Sequence, residues 1–378
     1  MKAKFILAIL SLAALAGISC SRPPESATEI VIGEYGSLTG TTATFGKSTK
    51  NGIDLAIEEI NKQGGVLGKQ IRVVVEDDQG KPEEAQTVVT KLITRDRVVA
   101  ILGEVASSRT LAAAPVAQQN KIPMITPSST NPRVTQIGDY IFRTCFIDPF
   151  QGFVMAKFAS TTLKVKNVAI LRDIKNDYSV GLADVFVENF TKMGGMIVSD
   201  LSYSEGDTDF GAQLTAMKAK KPEAIFIPGY YTEVGLIARQ AQKLGITIPM
   251  LGGDGWDSPK LWEIGGEALN GSYYSNHTSM DDPNPVIQKF VADYKARFNE
   301  LPDSLGANAY DSARILVDAI RRAGTTEPAK LRDALAQTKD FPGIAGPITI
   351  DANRNAVKPA VILRVNNGKL DFVERVTP

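Results

Sequence analysis

Short apolar runs alternate with amphipathic runs from residue 29 onward. Residues 29–33 and 70–75 are apolar and rich in β-branched side chains, which predicts two strands. Residues 51–62 place three isoleucines on one helical face, and residues 82–94 repeat this spacing with alanine, valine and leucine. The alternation resumes at residue 167 and continues to Tyr274. Strands separated by helices in this way indicate βαβ units and a mostly parallel sheet.

The pattern changes after Tyr274. Three helices in near succession are predicted over residues 285–298, 305–322 and 328–338, followed by strands over 348–350, 360–365 and 369–376. Asn366-Asn367-Gly368 joins the last two strands and is a hairpin signal. The three helices could form a third unit, but the simpler interpretation is that they return to cover the first lobe.

An internal repeat suggests two lobes of the same topology. Residues 100–102 and 122–124 are Ala-Ile-Leu and Ile-Pro-Met, and residues 224–226 and 248–250 are Ala-Ile-Phe and Ile-Pro-Met. Each pair brackets a glycine and a helical stretch containing Ala-Gln. The repeat favours two lobes that present the loops at their strand ends to a shared cleft.

Length and charge limit the function classes. A chain of 378 residues exceeds the usual size of a single core, so two domains are expected. Acidic and basic residues balance at 42 each, which gives no electrostatic case for binding nucleic acid.

The N-terminal segment is predicted to be a targeting signal rather than part of the fold. Lys2 and Lys4 precede an apolar run over residues 5–18 that is too short to span a membrane but typical of a signal peptide. The run ends at Gly17-Ile18-Ser19-Cys20, which resembles a bacterial lipobox, so residues 1–20 are expected to end in a lipidated Cys20. Residues 21–28 would then be a tether.

One departure leaves an alternative open at this segment. A lipobox usually has leucine where Gly17 stands, and a cut after Ala14-Leu15-Ala16 would release a soluble protein. The only other cysteine, Cys145, lies in an apolar stretch and is predicted to be a core residue.

Two clusters of small hydroxyl residues follow consecutive strand-like runs. The clusters are Ser107, Ser108 and Thr110 after residues 98–103, and Ser128, Ser129 and Thr130 after residues 123–126. Ligands of open α/β sheets bind beyond the carboxyl ends of the strands, and helix N-termini there favour anions. The hydroxyl groups could simply cap helices. Two clusters with no basic residue except Arg109 favour a pocket for a carboxylate over one for a phosphate.

At this point the sequence resembles the leucine/isoleucine/valine-binding proteins of bacterial ABC transporters, which are class I periplasmic binding proteins. The resemblance covers essentially the whole chain after residue 28. Its motifs are Gly36-Ser37-Leu38-Thr39-Gly40 with Phe45-Gly46, residues 52–65, Asp77-Asp78, Gly103 with Ser107-Ser108, residues 125–130, Phe142-Arg143-Thr144, Asp177-Tyr178 with Gly181, Gly229-Tyr230, residues 252–255, and Ala309-Tyr310-Asp311 with Ala313.

The family implies an α/β fold of two Rossmann-like lobes with mostly parallel sheets, joined by three hinge crossings. The crossings are expected near Phe146, Asn276 and Asp351. The first lobe would comprise residues 29–146 and 277–351, and the second lobe residues 147–276 and 352–378.

The resemblance also implies a ligand site. The family's contacts fall on Ser107, Ser128 and Thr130 in the first lobe, on Tyr178, Tyr230 and Asp254 in the second, and on Phe45 from the first loop. By this resemblance the ligand is a small amino acid. Its carboxylate would be bound by Ser107 and Thr130, and its ammonium by Asp254 and the backbone carbonyl of Ser128.

Some of these positions have a second interpretation. Asp254 lies in Gly-Gly-Asp-Gly, where a turn alone favours aspartate. Tyr178 and Tyr230 could be ordinary packing residues, as Trp256 is expected to be, and Tyr231 could face the ligand instead of Tyr230. The family often has glutamate where Asp254 stands, and the shorter aspartate leaves extra room beside the ligand's amino group. An aromatic amino acid, an amide or a related small metabolite would therefore fit as well as a branched aliphatic ligand. Some relatives carry a cysteine pair near Gly80 and Ala106, which this sequence lacks.

Catalysis is not expected. A Ser-His-Asp hydrolase needs an imidazole, and His277 is the only histidine; the G-x-S-x-G and G-x-G-x-x-G motifs are absent. Neither a metal nor a cofactor is predicted. The expected function is capture of the ligand by hinge closure and delivery to transporter permease subunits outside the cytoplasm. The membrane would be contacted only through the N-terminal lipid. A ligand-binding sensor of the same fold is the alternative.

Overall fold

The computed structural model describes residues 29–378, so the predicted signal peptide, Cys20 and the tether lie outside the described residues. The first sheet contains five parallel strands in the order β2-β1-β3-β4-β5. These are β1 (Glu29–Gly36), β2 (Gln70–Asp77), β3 (Ile101–Leu102), β4 (Met124–Thr126) and β5 (Ile141–Arg143). The connecting helices are α1 (Ala43–Lys62), α2 (Pro82–Thr94), α3 (Ser107–Gln119) and α4 (Arg133–Gln136).

The second sheet begins with five more parallel strands. These are β6 (Asn167–Asp173), β7 (Met196–Tyr203), β8 (Ala224–Phe226), β9 (Met250–Gly252) and β10 (Tyr273–Asn276). The helices are α5 (Asp148–Lys157), α6 (Asp177–Lys192), α7 (Gly211–Ala219), α8 (Tyr231–Lys243) and α9 (Pro259–Gly265). Short 3₁₀ segments cover Asp254–Trp256 and Gly266–Leu269, and a π-helical turn covers Phe158–Thr162.

The chain then returns to the first sheet before it ends on the second. Three helices follow β10, namely α10 (Pro285–Phe298), α11 (Ser304–Ala323) and α12 (Pro328–Ala336). A small antiparallel sheet contains β11 (Phe341–Gly343), β12 (Gly346–Ile350) and β13 (Ala356–Val357). Finally β14 (Ala360–Asn366) pairs antiparallel with β10, and β15 (Lys369–Val376) pairs with β14. We call each large sheet with its packed helices a lobe.

The two lobes have the same topology. The parallel strands of the second sheet run in the order β7-β6-β8-β9-β10, which matches the order of the first sheet strand for strand. The sequence repeat falls on β3 and β4 in one lobe and on β8 and β9 in the other. The prediction of an α/β fold with mostly parallel sheets is confirmed.

The three late helices cover the first lobe. Apolar residues of α11 and α12, among them Leu316, Ile320 and Leu331, share one buried cluster with Ile32 of β1 and Ile125 of β4. The interpretation of these helices as a cover rather than a third unit is therefore confirmed. The chain passes between the sheets after β5, after β10 and after β13. The lobe boundaries at residues 146, 276 and 351 stay a prediction.

Helix α1 begins eight residues before its predicted start (51 minus 43). Phe45 therefore lies on the first turn of a helix, and the prediction that it lies on a loop is wrong. Gly46 permits this helix to begin against the first strand loop, because a Cβ there would lie 2.2 Å from the carbonyl oxygen of Ser37.

The predicted C-terminal hairpin is confirmed. Asn367 and Gly368 both have positive φ, 49° and 78°, as a two-residue type I′ turn requires. Across residues 29–378, none of the helices combines the length and apolar character needed to cross a bilayer.

Candidate ligand-binding site

A small cavity lies where the carboxyl ends of the strands of both lobes meet. The space between its lining atoms, including space that is open to solvent, is about 200 Å³. The lining residues are Val105, Ser128 and Leu305 from the first lobe and Tyr178, Tyr230, Asp254 and Gly255 from the second.

The two hydroxyl clusters lie at the same edge of the first sheet. Ser107 is the first residue of α3, after β3, and Ser128 follows β4, which pairs with β3. The Ser128 hydroxyl lines the cavity, is buried, and has no hydrogen-bond partner within residues 29–378. An unpaired buried hydroxyl costs free energy, so the Ser128 hydroxyl is a candidate ligand contact.

Ser107 and Thr130 are buried but do not line the cavity. The backbone N–H of Asn131 donates to the Ser107 hydroxyl at 3.2 Å, and the Thr130 hydroxyl lies beside the carboxyl of Asp148. The Ser107 hydroxyl therefore contacts the protein itself, whereas the buried Thr130 hydroxyl has no hydrogen-bond partner within residues 29–378. Their predicted binding of the ligand's carboxylate stays a prediction.

Arg143 fixes the loop that carries Ser128. Its guanidinium is fully buried and donates to the carbonyl oxygens of Ser129 at 2.6 Å and Asn131 at 2.8 Å. The Thr126 hydroxyl accepts from the Ser129 N–H at 2.9 Å on the same loop. These bonds fix the backbone of the loop, so the geometry of the pocket depends on Arg143, to which the sequence analysis assigned no role.

Aromatic rings form the wall opposite the hydroxyl clusters. The rings of Tyr178 and Tyr230 stack with centroids 5.5 Å apart, and the Phe45 ring meets Tyr230 edge-on at 5.3 Å. Tyr230 lines the cavity, whereas Tyr231 begins α8 and accepts from the Thr44 N–H at 3.3 Å. Phe45 is fully buried behind Tyr230 and does not line the cavity.

Asp254 supplies the acidic side of the cavity. It follows β9, is 4 % exposed, and lines the cavity. Its Oδ1 accepts from the Gln151 amide at 2.8 Å, and its Oδ2 lies 3.0 Å from Nε2 of His277. The next position requires glycine, because a Cβ on Gly255 would lie 2.7 Å from the carbonyl oxygen of Gly229.

A second carboxyl group lies near Asp254. Burial raises the pKa of Asp148 to about 8; the Thr130 hydroxyl opposes the shift, the Asp254 charge adds to it and the Arg143 charge opposes it. Asp148 is therefore largely protonated at neutral pH, and Asp254 is the acid that faces the cavity.

Several residues at the site carried no signal in the sequence. Val105 and Leu305 are apolar residues next to a strand end and a helix start, and nothing in their spacing distinguishes them from core residues. His277 stands out in the sequence as the only histidine, but nothing there indicates its contact with Asp254. Trp256 and Cys145 are fully buried; the indole N–H of Trp256 donates to the carbonyl of Ile227 at 3.0 Å, so both are packing residues as expected.

The lobes also contact each other beside the cavity. Arg109 of α3 donates to Glu205 of the second lobe at 2.9 Å and to the hydroxyls of Ser37 at 3.0 Å and Thr42 at 2.8 Å. Gly80 leaves room for this guanidinium, because a Cβ there would lie 3.3 Å from Nη2 of Arg109. No group of three or more metal-ligating side chains is assembled within residues 29–378.

Comparison with known proteins gives one consistent result. Residues 29–369 match the family described as periplasmic binding protein. The structure is similar to the leucine-binding protein LivK of Thermotoga maritima, with 42 % identity, a TM-score of 0.89, and coverage of 92 % of this chain and 99 % of that one.

Two further structures are similar over most of their length. One is the branched-chain amino acid binding protein LivJ of Streptococcus pneumoniae in complex with isoleucine, with 37 % identity, a TM-score of 0.88, and coverage of 93 % of this chain and 100 % of that one. The other is a solute-binding protein of an ABC transporter from Rhodopseudomonas palustris in complex with 3,4-dihydroxybenzoic acid, with 28 % identity, a TM-score of 0.84, and coverage of 93 % and 98 %.

Proposed function

This chain belongs to the periplasmic binding protein family, the substrate-binding proteins of ABC transporters, and from that premise we propose that it captures a small zwitterionic amino acid. The favoured ligand is a branched-chain or otherwise aliphatic amino acid. The protein with its bound ligand then delivers the amino acid to the permease of the transporter. The members of the family act outside the cytoplasm.

The observation that carries the proposal is the position of Asp254 in the lining of the cavity, together with Ser128, whose buried hydroxyl has no hydrogen-bond partner within residues 29–378. A buried carboxylate favours a ligand with a cationic group, since an unpaired buried charge is strongly unfavourable. The unpaired hydroxyl of Ser128 favours a ligand that also brings an acceptor. Hydrogen bonds to charged groups contribute roughly 1.5–3 kcal/mol each, so a few account for the about −8 kcal/mol of a micromolar site.

The remaining walls favour an aliphatic side chain. Val105 and Leu305 are apolar, and the ring faces of Tyr178 and Tyr230 add further apolar surface. The relative from Streptococcus pneumoniae binds isoleucine, which combines both charged ends with such a side chain. The dihydroxybenzoic acid bound by the Rhodopseudomonas relative lacks an ammonium group, and Asp254 would repel its carboxylate. Aromatic amino acids and amides remain alternative ligands.

The Cys20 lipid is a separate proposal. Residues 1–20 resemble a signal peptide with a lipobox-like end, which supports attachment of the chain to a membrane through a lipidated Cys20 and a tether of residues 21–28. Labelling of cells with a tagged fatty acid tests it, and an untagged protein cut after Ala16 would contradict it.

The test of function is a thermal-shift screen followed by calorimetry. We expect L-isoleucine, L-leucine or L-valine to raise the melting temperature, because a ligand that binds only the folded state stabilises it by mass action. Asp254→Ala should abolish this binding and keep the fold, judged by its circular dichroism. Unchanged affinity in Asp254→Ala would remove this residue from the site. A gene deletion that leaves isoleucine uptake intact but abolishes a cellular response would indicate a sensor.

A further inference from the structure

His277 lies directly behind the acid of the site. It is the only histidine of the chain, follows β10, and is 1 % exposed. Its ring lies against the Phe146 ring with centroids 4.0 Å apart, and its Nε2 is 3.0 Å from Oδ2 of Asp254. Asp254 lines the cavity and His277 does not, so the imidazole contacts the carboxylate from the protein side.

Gln151 of α5 holds the other oxygen of the same carboxylate. Its amide donates to Oδ1 of Asp254 at 2.8 Å, and the Tyr178 hydroxyl donates to its Oε1 at 3.4 Å. Gln151 is fully buried and, like His277, does not line the cavity. Each oxygen of Asp254 is therefore bonded to one buried donor behind it.

We infer that His277 and Gln151 are positioning residues for the cationic end of the ligand: they fix the Asp254 carboxylate toward the cavity, His277 as a neutral imidazole that donates from Nε2. The inference rests on the proposed function, in which Asp254 receives an ammonium group. An ionised carboxylate offers about four acceptor positions, so two protein donors leave room for the ligand on both oxygens.

The geometry favours the neutral imidazole. The Nδ1 atom of His277 is buried and has no hydrogen-bond partner within residues 29–378. Protonation would place a second, charged N–H donor at this unpartnered position and would also cancel the charge that Asp254 offers the ligand. Burial lowers the pKa of His277; the hydrogen bond and charge of Asp254 oppose this shift, the Lys358 charge adds to it, and the Asp257 charge opposes it.

The three residues are assembled within one lobe. Asp254 follows β9 and His277 follows β10, and these strands are parallel neighbours in the second sheet. Helix α5, which carries Gln151, packs against α6 and β10. The carboxylate is therefore oriented before the lobes close, which reduces the ordering cost of binding.

Nuclear magnetic resonance of the full chain labelled with ¹⁵N-histidine tests the imidazole directly. A single histidine gives one set of ring signals, so the assignment is unambiguous. We expect the neutral form with hydrogen on Nε2 at pH 7, both without ligand and with saturating L-isoleucine. An imidazolium at pH 7, or hydrogen on Nδ1, would overturn the inference.

Matched variants test the positioning role. His277→Phe keeps a ring against Phe146 but removes the donor, and His277→Gln restores a donor; we expect a 10- to 100-fold loss of affinity for L-isoleucine in the first and recovery to within about fivefold in the second. Tyr274→Phe is the control, because it removes a hydroxyl that donates at 3.3 Å to Asp257, an acid outside the cavity lining. Its affinity should be unchanged.

The outcomes separate the inference from the proposed function. Wild-type protein that binds no amino acid at all contradicts the proposed function, while the ring signals still decide the state of His277. Wild-type protein that binds L-isoleucine, with His277→Phe binding equally well, contradicts the inference alone. A purely structural role would lower the melting temperature of His277→Phe without a rescue of affinity by His277→Gln.

Discussion

Adjacent serines at the cleft have opposite environments. The Ser129 hydroxyl donates to the carbonyl of Glu104 at 2.8 Å and lies 2.7 Å from the Thr110 hydroxyl, so it is part of the protein's own network. The Ser128 hydroxyl is buried and unpartnered within residues 29–378 and lines the cavity. The two side chains should therefore affect binding and stability separately.

The alanine variants of these serines test that separation. Ser128→Ala should weaken binding of L-isoleucine by 10- to 100-fold, as expected for a lost bond of roughly 1.5–3 kcal/mol to a charged ligand. Its melting temperature without ligand should stay equal or rise, because an unpaired buried hydroxyl is removed. Ser129→Ala should lower the melting temperature, since it strands acceptors of a buried network. Calorimetry and thermal denaturation measure both, and unchanged affinity in Ser128→Ala would place the carboxylate elsewhere.

At the residue scale, the sequence predicts the neighbourhood of the site better than the contacts in it. The hydroxyl clusters and Asp254 are found at the expected strand ends, because strand and loop patterns are readable from spacing. Which hydroxyl faces the cavity depends on the loop backbone, which is set at Ser129 by a bond to Thr126 on the same loop and by a bond from Arg143, 14 residues further along the chain. The resemblance alone therefore could not rank Ser128 above Ser107 or Thr130.

At the scale of elements, helices α1 and α11 touch through glycine. A Cβ on Gly52 would lie 2.2 Å from the carbonyl oxygen of Gly306, a backbone atom that cannot move aside. A Cβ on Gly306 would lie 3.1 Å from the Ser48 hydroxyl and 3.3 Å from its carbonyl oxygen, which requires a smaller adjustment. The two glycines therefore lie at one helix contact but should tolerate an added methyl group to different degrees.

Gly52→Ala should destabilise the protein although alanine is the better helix former. In a free helix interior the change stabilises by about 1 kcal/mol, whereas forced separation of two packed helices costs roughly 1–3 kcal/mol. Gly306→Ala should change stability by less than Gly52→Ala. Denaturant unfolding of both variants measures the difference, and a stabilised Gly52→Ala would show that the helices can move apart freely.

Helix α1 was predicted with the wrong start, and Gly46 lies within the eight residues that the prediction missed. Helices α2 and α10 begin at Pro82 and Pro285, and their predicted bounds match the structure, because proline at the first helical position marks the start locally. Helix α1 contains Gly46 and Gly52, which lower helix propensity in the sequence. Their reason is close approach to Ser37 and Gly306, and such partners are visible only in the folded chain.

At the scale of the whole molecule, the lobes meet over the cavity through polar contacts. The ion pair of Arg109 and Glu205 is 2.9 Å long, and the Arg109 side chain is 2 % exposed. The pair of Arg133 and Asp177, at 3.0 Å, also joins the lobes but has side chains 67 % and 38 % exposed. A ligand that contacts both lobes would shift the population toward this closed arrangement, because its contacts are complete only there.

The two ion pairs should therefore differ in their effect on affinity, although neither contacts the ligand. Glu205→Gln should weaken binding of L-isoleucine about 5- to 20-fold, because the closed form loses a shielded ion pair. It should leave the melting temperature of the ligand-free protein unchanged, because Arg109 keeps its contacts within the first lobe. Arg133→Gln should stay within threefold, because exposed pairs contribute only about 0.2–1 kcal/mol. Small-angle scattering supplies the structural readout: the wild-type radius of gyration should fall on addition of ligand, and Glu205→Gln should need more ligand for the same compaction. Identical scattering with and without saturating ligand would reject hinge closure, and equal affinity loss in both variants would reject burial as the reason for the difference.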